Sequence, residues 1–257
     1  MSDSATREWD AGTYDRISKP QQDWAGAVVD RLGLRGGETV LDAGCGSGRV
    51  TQLLLDRLPE GRVIAVDGSA AMVAEARTHL DPARTTFVHS DLAELELAEK
   101  VDAVFSNAVF HWVLDHERLF GRLADVLVPG GRLEAQCGGA GNVARFYAIA
   151  REVAAEQGLT EIEGYDPHRF ANPGETAEIL AGAGFESIDC GLVPRPVRPP
   201  EPANFIRTVC LGPHLDLLPE SKREAYIDAV VERLGPEPEL DYVRLNISAR
   251  KRAAPAS

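Results

Sequence analysis

Short apolar runs that alternate with longer helical stretches constrain the fold of this chain more than any other feature. Five such runs lie between residues 39 and 138, and each contains Val, Ile, Leu or Phe. Strands that are buried on both faces read as apolar runs, so the alternation predicts a parallel sheet between two layers of helices. The runs are TVLDAGC at 39–45, RVIAVD at 62–67, TTFVHSD at 85–91, VDAVFSN at 101–107 and RLEAQCG at 132–138.

Segments of helical period separate several of these runs. Residues 48–58, 69–80 and 116–127 have apolar residues at helical spacing, and Ser69 is a favoured N-cap. The Pro129-Gly130-Gly131 turn leads into the fifth run. Together these elements predict repeated β–α units.

After residue 138 the pattern becomes mainly helical. Helical segments occupy 142–158 and 173–184, a strand-like run occupies 185–193, and a proline-rich link leads to a helical stretch at 202–234. Residues 242–251 read as a terminal strand, which can pair antiparallel with its neighbour. The whole pattern predicts an α/β, Rossmann-like, doubly wound mixed sheet of about seven strands with a helical cap.

The length of 257 residues and the 44% hydrophobic content suit one domain. Within it we expect an N-terminal lid or helix at 1–30, a ligand-binding core at 31–138, and helical cap segments at 139–184 and 194–241. The cap would cover the carboxyl ends of the strands, where open α/β sheets bind ligands.

Charge and hydropathy exclude several function classes. The formal net charge is −13, which repels nucleic acid and anionic membranes, so we expect neither as a partner. No apolar run approaches the roughly 20 residues of a membrane span, and the first ten residues lack signal-peptide features. We therefore expect a cytoplasmic protein.

The four cysteines do not indicate a metal site. Cys45, Cys137, Cys190 and Cys210 are too far apart for zinc-ligand spacing, so we expect free thiols and no bound metal.

A glycine-rich loop follows the first predicted strand. In LDAGCGSG at 41–48, Gly44, Gly46 and Gly48 allow a sharp turn and a close approach of the backbone to a ligand. Asp67 ends the second predicted strand, about 20 residues further on, where its carboxylate can accept hydrogen bonds from both ribose hydroxyls. Loop and carboxylate together predict a ligand that contains adenosine.

A nicotinamide cofactor is the alternative ligand. Its loop has the form G-x-G-x-x-G, and counting from Gly44 places Arg49 where the third glycine belongs. This spacing disfavours a nicotinamide-dependent oxidoreductase.

The stretch from LDAGCGSG through Asp67, with HSDL at 89–92, SNAVFHW at 106–112 and LVPGGRL at 127–133, resembles the class I S-adenosylmethionine-dependent methyltransferases. Trp9, Asp10 and Tyr14, the N-A-x-x-H-W pattern and FIRTVCLGPHLDLLP at 205–219 resemble the trans-aconitate methyltransferase group. The resemblance implies that S-adenosylmethionine is the cofactor and that a small molecule accepts the methyl group.

The resemblance also implies cofactor-binding roles for matching positions. They cover the methionine portion, the ribose, the adenine and the methionine end, with Tyr14 closing over the last. From the polar, terminal character of residues 1–20 and from Tyr14, we expect this segment to form a lid that orders on cofactor binding. Met72 has an alternative role in the helix core, and Asp91 as a plain N-cap. The positions are Tyr14, Asp42, Gly44, Gly46, Gly48, Asp67, Ser69, Met72, Asp91, Leu92, Asn107 and Ala108.

The acceptor pocket is expected near His111 and Trp112, which follow the fourth strand at its carboxyl edge. The favoured acceptor is a small carboxylic acid, methylated on oxygen and held by Arg145, Arg207 and His214 from the cap. Solvated helix-face positions for these residues, and a backbone-bonded buried His111, are the alternatives.

Two other functions remain open. A phenol, hydroxyl or amine acceptor would need a general base, and His111 is the candidate for that catalytic role. A binding module that retains the cofactor without turnover is also compatible with the sequence.

Overall fold

The computed structural model describes residues 19–253, with side chains from residue 24 onward. One sheet of seven strands forms its centre. The strands are β1 (Thr39–Ala43), β2 (Arg62–Asp67), β3 (Thr85–His89), β4 (Val101–Asn107), β5 (Leu127–Gly138), β6 (Phe185–Pro194) and β7 (Val243–Lys251). Their order across the sheet is β3-β2-β1-β4-β5-β7-β6.

Nine α-helices accompany the sheet within the described residues. They are α1 (Lys19–Arg31), α2 (Arg49–Asp56), α3 (Ala70–His79), α4 (His116–Val126), α5 (Ala144–Glu156), α6 (Pro173–Gly182), α7 (Pro202–Phe205), α8 (Gly212–Leu217) and α9 (Glu220–Leu234). None of the helices in the described part of the chain is long and apolar enough to cross a membrane.

Strand directions follow the expectation from the sequence. β1 pairs in parallel with β2 and β4, β2 with β3, and β4 with β5. β7 is antiparallel to both β5 and β6. The predicted doubly wound mixed sheet, with an antiparallel terminal strand, is confirmed.

Helices bury both faces of the parallel part of the sheet. On one face Val28 of α1 and Leu54 of α2 pack against Phe105 of β4, and on the other face Leu119 and Phe120 of α4 pack in a separate cluster. Burial of each such side chain contributes about 1.5–3 kcal/mol. The central strands β1, β2 and β4 are largely apolar because neither of their faces meets water.

Helices α5, α7, α8 and α9 have a hydrophobic cluster of their own, whereas Leu180 of α6 is buried in the same cluster as Leu119 of α4. Phe146 on α5, Phe205 on α7 and Tyr226 on α9 are fully buried together, and the Tyr226 hydroxyl donates a hydrogen bond to the Ala150 carbonyl at 3.1 Å. We call α5 and α7–α9, with their connections, the cap.

The structure refines the sequence pattern at three places. The helical stretch at 202–234 is divided into several helices, because Pro213 and Pro219 lack the N–H that a continuing helix needs. A π-helical segment, Ile206–Cys210, lies between α7 and α8. β5 starts at Leu127, since the Pro129-Gly130 turn is a bulge within the strand and Leu127 already pairs with Val101. A short 3-10 turn at Leu92–Glu94 was not predicted.

Candidate active site

The glycine loop between β1 and α2 has left-handed backbone at three positions. The φ angles are +91° at Gly44, +54° at Gly46 and +89° at Gly48. A Cβ at Gly44 would lie 2.2 Å from Cγ2 of Val109, whereas a Cβ at Gly46 would meet no atom within 4 Å. Gly44 is therefore required for packing, and Gly46 leaves an open cradle above the loop.

Asp67 links the end of β2 to this loop. Its Oδ2 accepts a hydrogen bond from the Gly46 N–H at 2.8 Å, and its Oδ1 accepts one from the Ser69 N–H at 2.9 Å. Ser69 caps α3, because its hydroxyl accepts a hydrogen bond from the Met72 N–H at 3.3 Å. The carboxylate is thereby held at the carboxyl edge of the sheet, beside the cradle.

Asp42 lies beneath the loop at the end of β1. It is 1% exposed, and its Oδ2 accepts a hydrogen bond from the Thr51 hydroxyl at 2.7 Å. The pKa of Asp42 is raised to about 7, mainly by burial; the Thr51 hydrogen bond lowers it, and the nearby Asp67 charge raises it. Two carboxylates at one strand edge favour a ligand that carries positive charge.

The residues expected beside adenine divide into two groups. Asp91 caps the 3-10 turn, since its Oδ1 accepts a hydrogen bond from the Ala93 N–H at 2.8 Å. The side chains of Met72 and Leu92 are buried in the protein interior, at 3% and 4% exposure. In the structure Asp91 is thus an N-cap and Met72 is a core residue, as in the alternatives given for these two positions.

β4 ends in a strained turn. Ala108, which follows Asn107, has a φ of +63°, and its N–H donates to the Gln136 carbonyl at 2.7 Å. Such a conformation at a residue with a Cβ costs about 1–3 kcal/mol and is held by its surroundings. The turn leads directly into the 3-10 segment Phe110–Trp112, which positions His111 over the sheet edge.

His111 is buried and hydrogen-bonded to the backbone. Its Nδ1 accepts a hydrogen bond from the Gly138 N–H at 3.3 Å, which assigns the proton of the neutral ring to Nε2. Burial lowers the pKa of His111 well below its ordinary value, and the nearby His168, Arg244 and His116 lower it further. The ring is therefore a neutral hydrogen-bond donor at Nε2.

A narrow cavity of about 40 Å³ lies between this turn and the cap. That is room for only a few water molecules, so a larger molecule enters only as the cap and the lining side chains move. The cavity is lined from the sheet edge and from the cap by Ala108, His111, Trp112, Asn142, Val143, Tyr147, His168, Phe170, Val209, Cys210, Tyr242 and Arg244.

Arg244 is the charged residue of this lining. It is 2% exposed, and its guanidinium carbon lies 4.9 Å from the centroid of the Trp24 ring. Its Cα pairs with Gly138 in the sheet register. Because β7 runs antiparallel, its first residues meet the carboxyl ends of the parallel strands, and this places Arg244 at the same edge as His111.

The structure does not bring the predicted arginines into the cavity. Arg145 is exposed on α5, and Arg207 makes a bidentate ion pair with Glu224, with N–O distances of 2.5 and 2.6 Å. That pairing raises the pKa of Arg207. Arg145 and Arg207 are therefore charged residues on the outer faces of helices, which was the alternative to a role in acceptor binding.

Of the remaining predicted residues, His111 and Trp112 line the cavity and His214 lies behind it. The His214 ring is 5.8 Å from that of Tyr147, and burial lowers its pKa to about 4. Tyr14 and the rest of the expected lid up to residue 18 lie outside the described residues.

Sequence reasoning missed Arg244, Tyr147, His168 and Phe170. The antiparallel direction predicted for the last strand was a usable signal, because it puts the start of that strand at the ligand-binding edge. Arginine is mostly exposed in proteins, so its residue type gave no sign of burial.

The fold and the site define a class of protein: this is an S-adenosylmethionine-dependent methyltransferase. The methyltransferase domain family matches residues 40–131, which contain the loop, Asp67 and the turn after β4. The YcgJ protein from Bacillus subtilis shares the fold, with a TM-score of 0.66 at 15% identity, and the match covers 91% of this chain and 100% of that one.

Curated relatives narrow the family. Trans-aconitate 2-methyltransferase from Acidovorax sp. strain JS42 is 30% identical over 234 residues, which covers 89% of each chain. The protein of the same name from Escherichia coli is 34% identical over 179 residues, covering 70% of this chain and 69% of its own. The chain belongs to the trans-aconitate methyltransferase family.

The observed residues fit the cofactor. S-adenosylmethionine carries positive charge on its sulfur and its amino group, which suits the edge where Asp42 and Asp67 lie. Gly46 leaves space where a side chain would otherwise fill the cradle. Asp67 would hold the ribose, and the loop with Asn107 and Ala108 would hold the methionine portion.

Proposed function

We propose that this methyltransferase acts on a small carboxylic acid and methylates a carboxylate oxygen. The observation that carries the proposal is the buried guanidinium of Arg244 in the cavity beside Ala108 and His111. The family members named trans-aconitate 2-methyltransferase act, by that name, on a carboxylic acid, which supports the same acceptor class.

Arg244 suits a carboxylate for physical reasons. A guanidinium stays protonated in proteins, so its positive charge persists when it is buried. Its planar fork donates two parallel hydrogen bonds to a carboxylate, and the Trp24 ring on its face helps to fix its plane. On a chain with a net charge of −13, a local cation also offsets the general repulsion of an anionic acceptor.

A carboxylate acceptor requires no general base, because carboxylic acids are already ionised at neutral pH. When bound, S-adenosylmethionine would supply an activated methyl group; the carboxylate oxygen would form a bond to its carbon while the carbon–sulfur bond breaks and the electron pair of that bond stays on sulfur. The protein holds the acceptor in line and excludes water, and such alignment can lower a barrier by about 7–11 kcal/mol.

The state of His111 supports this acceptor over a phenol or an amine. A base needs a free lone pair, but Nδ1 accepts from Gly138 and Nε2 carries the proton. The Nε2–H group can instead donate a hydrogen bond to an acceptor oxygen. Tyr147 is no better as a base, because burial raises the pKa of its hydroxyl well above 10 and that hydroxyl donates to the Cys210 carbonyl.

The test compares Arg244→Lys and Arg244→Gln with the matched control Arg207→Gln, whose side chain lies outside the cavity. Methyl transfer from labelled cofactor is measured over a panel of small acids, phenols and amines, and cofactor affinity is measured by calorimetry. We expect turnover of acids, a KM for the acid that rises at least about tenfold in both Arg244 variants, and a nearly unchanged cofactor Kd.

Two outcomes would overturn the proposal. One is turnover of a phenol or amine and of no acid, with Arg244→Gln fully active. The other is a fall in cofactor affinity in the Arg244 variants that is as large as the rise in the KM for the acid, which would assign Arg244 to the carboxylate of the cofactor. Thermal unfolding of each variant identifies any that lose activity because they fail to fold.

A further inference from the structure

Arginines gather at the amino edge of the sheet, opposite the edge that carries the glycine loop. Arg35 precedes β1, Arg132 pairs with Ala103 near the start of β4, and Arg250 lies near the end of the antiparallel strand β7. Together with Arg31, the last residue of α1, they line a cavity of about 240 Å³, which we call the arginine cavity. On a chain with a net charge of −13, this cavity is a local reversal of charge.

The carboxylate in the described lining of the arginine cavity, that of Glu134, is already engaged. Glu134 is buried, and its Oε2 accepts a hydrogen bond from Nε of Arg31 at 3.1 Å. Its Oε1 accepts another from the Ser248 hydroxyl. Glu134 therefore offsets the charge of Arg31 and leaves the other three guanidinium groups of the cavity to other partners.

Arg132 is held in a fixed position beside the loop before β1. Its side chain is 16% exposed, and it donates hydrogen bonds to the Gly33 carbonyl at 3.2 Å and to Oε1 of Glu38 at 2.9 Å. Glu38 also accepts hydrogen bonds from the N–H groups of Arg35 and Gly36 at 2.8–2.9 Å. One carboxylate thus ties Arg132 to the loop that carries Arg35, so part of the cavity wall is organised in advance.

Arg250 lies directly opposite Arg132 in the pairing of β5 with β7. Like charges that face each other across two strands destabilise a sheet. On its other side Arg250 faces Glu186 of β6 in the register, but no ion pair joins the two. Within residues 24–253, the side chains of Arg250 and Arg35 make no hydrogen bond or ion pair, so an anion placed between them would replace repulsion with attraction.

A second, larger cavity of about 400 Å³ adjoins the first, and Arg35, Arg132 and Arg250 line both. Its two carboxylates also have partners, since Glu38 binds Arg132 and Oδ2 of Asp102 accepts a hydrogen bond from the Thr39 N–H at 2.8 Å. A ligand whose anionic group lies in the arginine cavity therefore has room for an uncharged body in the larger one.

We propose that the arginine cavity binds the phosphate group of a small molecule, at a site separate from those of the cofactor and the acceptor. The phosphate dianion matches the two guanidinium charges of Arg35 and Arg250, which no carboxylate offsets. Its oxygens point in several directions, so arginines from a loop and from two strands can bind it together, whereas the two oxygens of a carboxylate lie in one plane. Ser187, at a bulge in β6 with a φ of +52°, adds a hydroxyl to the same wall.

The first experiment titrates the full chain with inorganic phosphate, at constant ionic strength and with S-adenosylhomocysteine filling the cofactor site. Calorimetry should give one phosphate per chain. We expect the phosphate Kd to rise at least about fivefold in Arg35→Gln and in Arg250→Gln, because each removes charge-assisted hydrogen bonds. Arg145→Gln, the same change of charge at an exposed position on α5, is the matched control and should keep the wild-type Kd.

The second experiment distinguishes free phosphate from a phosphate ester as the source of the group. Glycerol 3-phosphate and phenyl phosphate are compared with inorganic phosphate, and glycerol and phenol are the controls without the anion. Tighter binding of an ester would assign the larger cavity to its organic body, and equal binding of all three would identify free phosphate as the ligand. In both cases the Arg35 and Arg250 variants should weaken binding of each phosphate compound, and the two alcohols should not bind at the site.

Three results would overturn the inference. One is the absence of saturable binding of any phosphate compound up to about 20 mM. Another is weakening by Arg145→Gln as large as that by Arg250→Gln, which would show a general effect of net charge. The third is loss of phosphate binding in Arg244→Gln with normal binding in Arg35→Gln and Arg250→Gln, which would place the anion in the acceptor cavity. Thermal unfolding without phosphate checks that each variant is folded, and methyl transfer should be unchanged in the Arg35 and Arg250 variants.

Discussion

Gly138 donates its backbone N–H to Nδ1 of His111 at 3.3 Å, so the end of β5 fixes the tautomer of a ring that follows β4. The same glycine pairs with Arg244 in the sheet register. One short stretch of backbone therefore orients a neutral donor and lies beside a permanent cation at the cavity. This pairing of roles suits recognition of an oxygen anion rather than proton abstraction.

The pH dependence of turnover follows from this pairing. With a carboxylic acid acceptor and saturating cofactor, kcat/KM should be constant between about pH 6.5 and 8.5, because the acceptor is ionised and His111 is neutral throughout. His111→Gln, which keeps hydrogen-bonding groups at this position, should raise KM while the profile stays flat. A profile that rises across this range in the wild type and becomes flat in His111→Gln would show that His111 is a base.

Alanine substitutions at Gly44 and Gly46 should have different effects on protein stability and on cofactor affinity. Gly46→Ala has room for its methyl group, so we expect a loss of about 1–2 kcal/mol in unfolding free energy from the positive φ, and at least about tenfold weaker cofactor binding because the methyl enters the cradle. Gly44→Ala should destabilise by about 3 kcal/mol or more, since its methyl collides with Val109. Urea unfolding and calorimetry distinguish the two.

In a matched cycle, Val109→Ala should recover part of the stability lost in Gly44→Ala and none of the affinity lost in Gly46→Ala. Normal cofactor affinity in a folded Gly46→Ala protein would remove the cradle assignment.

How far the sequence predicts this structure depends on the range of the interactions. The loop glycines, Asp67 and the Ser69 cap were predictable, because each acts within one β–α unit whose pattern is local. The burial of Arg244 was not, since it depends on Trp24 from α1 and on cap residues far away in the chain. The pairing of Arg207 with Glu224 also depends on how the helices of the cap meet, which helical periodicity does not reveal.

Asp67→Ala should weaken S-adenosylmethionine binding by several-fold to a few hundredfold, because one charge-assisted hydrogen bond is worth about 1.5–3 kcal/mol. The loss of the bonds to the Gly46 and Ser69 N–H groups should add to the effect by loosening the loop. Calorimetry measures the affinity, with Asp125→Ala, an exposed position on α4, as the control. Unchanged affinity in a folded Asp67→Ala protein would contradict the ribose assignment.

Asp42→Asn should stabilise the cofactor-free protein above about pH 7 and weaken cofactor binding. The pKa of this carboxyl rises on folding from 3.8 to about 7, so its unfavourable contribution grows as pH rises through that interval and reaches about 4 kcal/mol above it. Asparagine removes the buried charge and can still accept the Thr51 hydrogen bond. Urea unfolding at about pH 5 and pH 8 should therefore show that the substitution raises the free energy of unfolding more at pH 8 than at pH 5. An equal increase at both pH values would mean that the charge of Asp42 does not destabilise the folded protein.

His214 should contribute to acid unfolding. Its pKa falls on folding from 6.5 to about 4, because burial between Tyr147 and Tyr165 disfavours the charged ring. When folding lowers the pKa of a histidine, the neutral ring stabilises the folded protein fully above pH 6.5. This contribution to the free energy of unfolding, about 3 kcal/mol in total, is lost as pH falls from 6.5 towards 4.

The free energy of unfolding of His214→Gln should thus depend less on pH than that of the wild type over that interval, as measured by urea unfolding at several pH values. His79→Gln, at an exposed position on α3, is the control for removing a histidine. Parallel pH curves for the wild type and His214→Gln would show that the ring is not desolvated in the folded protein, and the packing of His214 behind the cavity would then have to be revised.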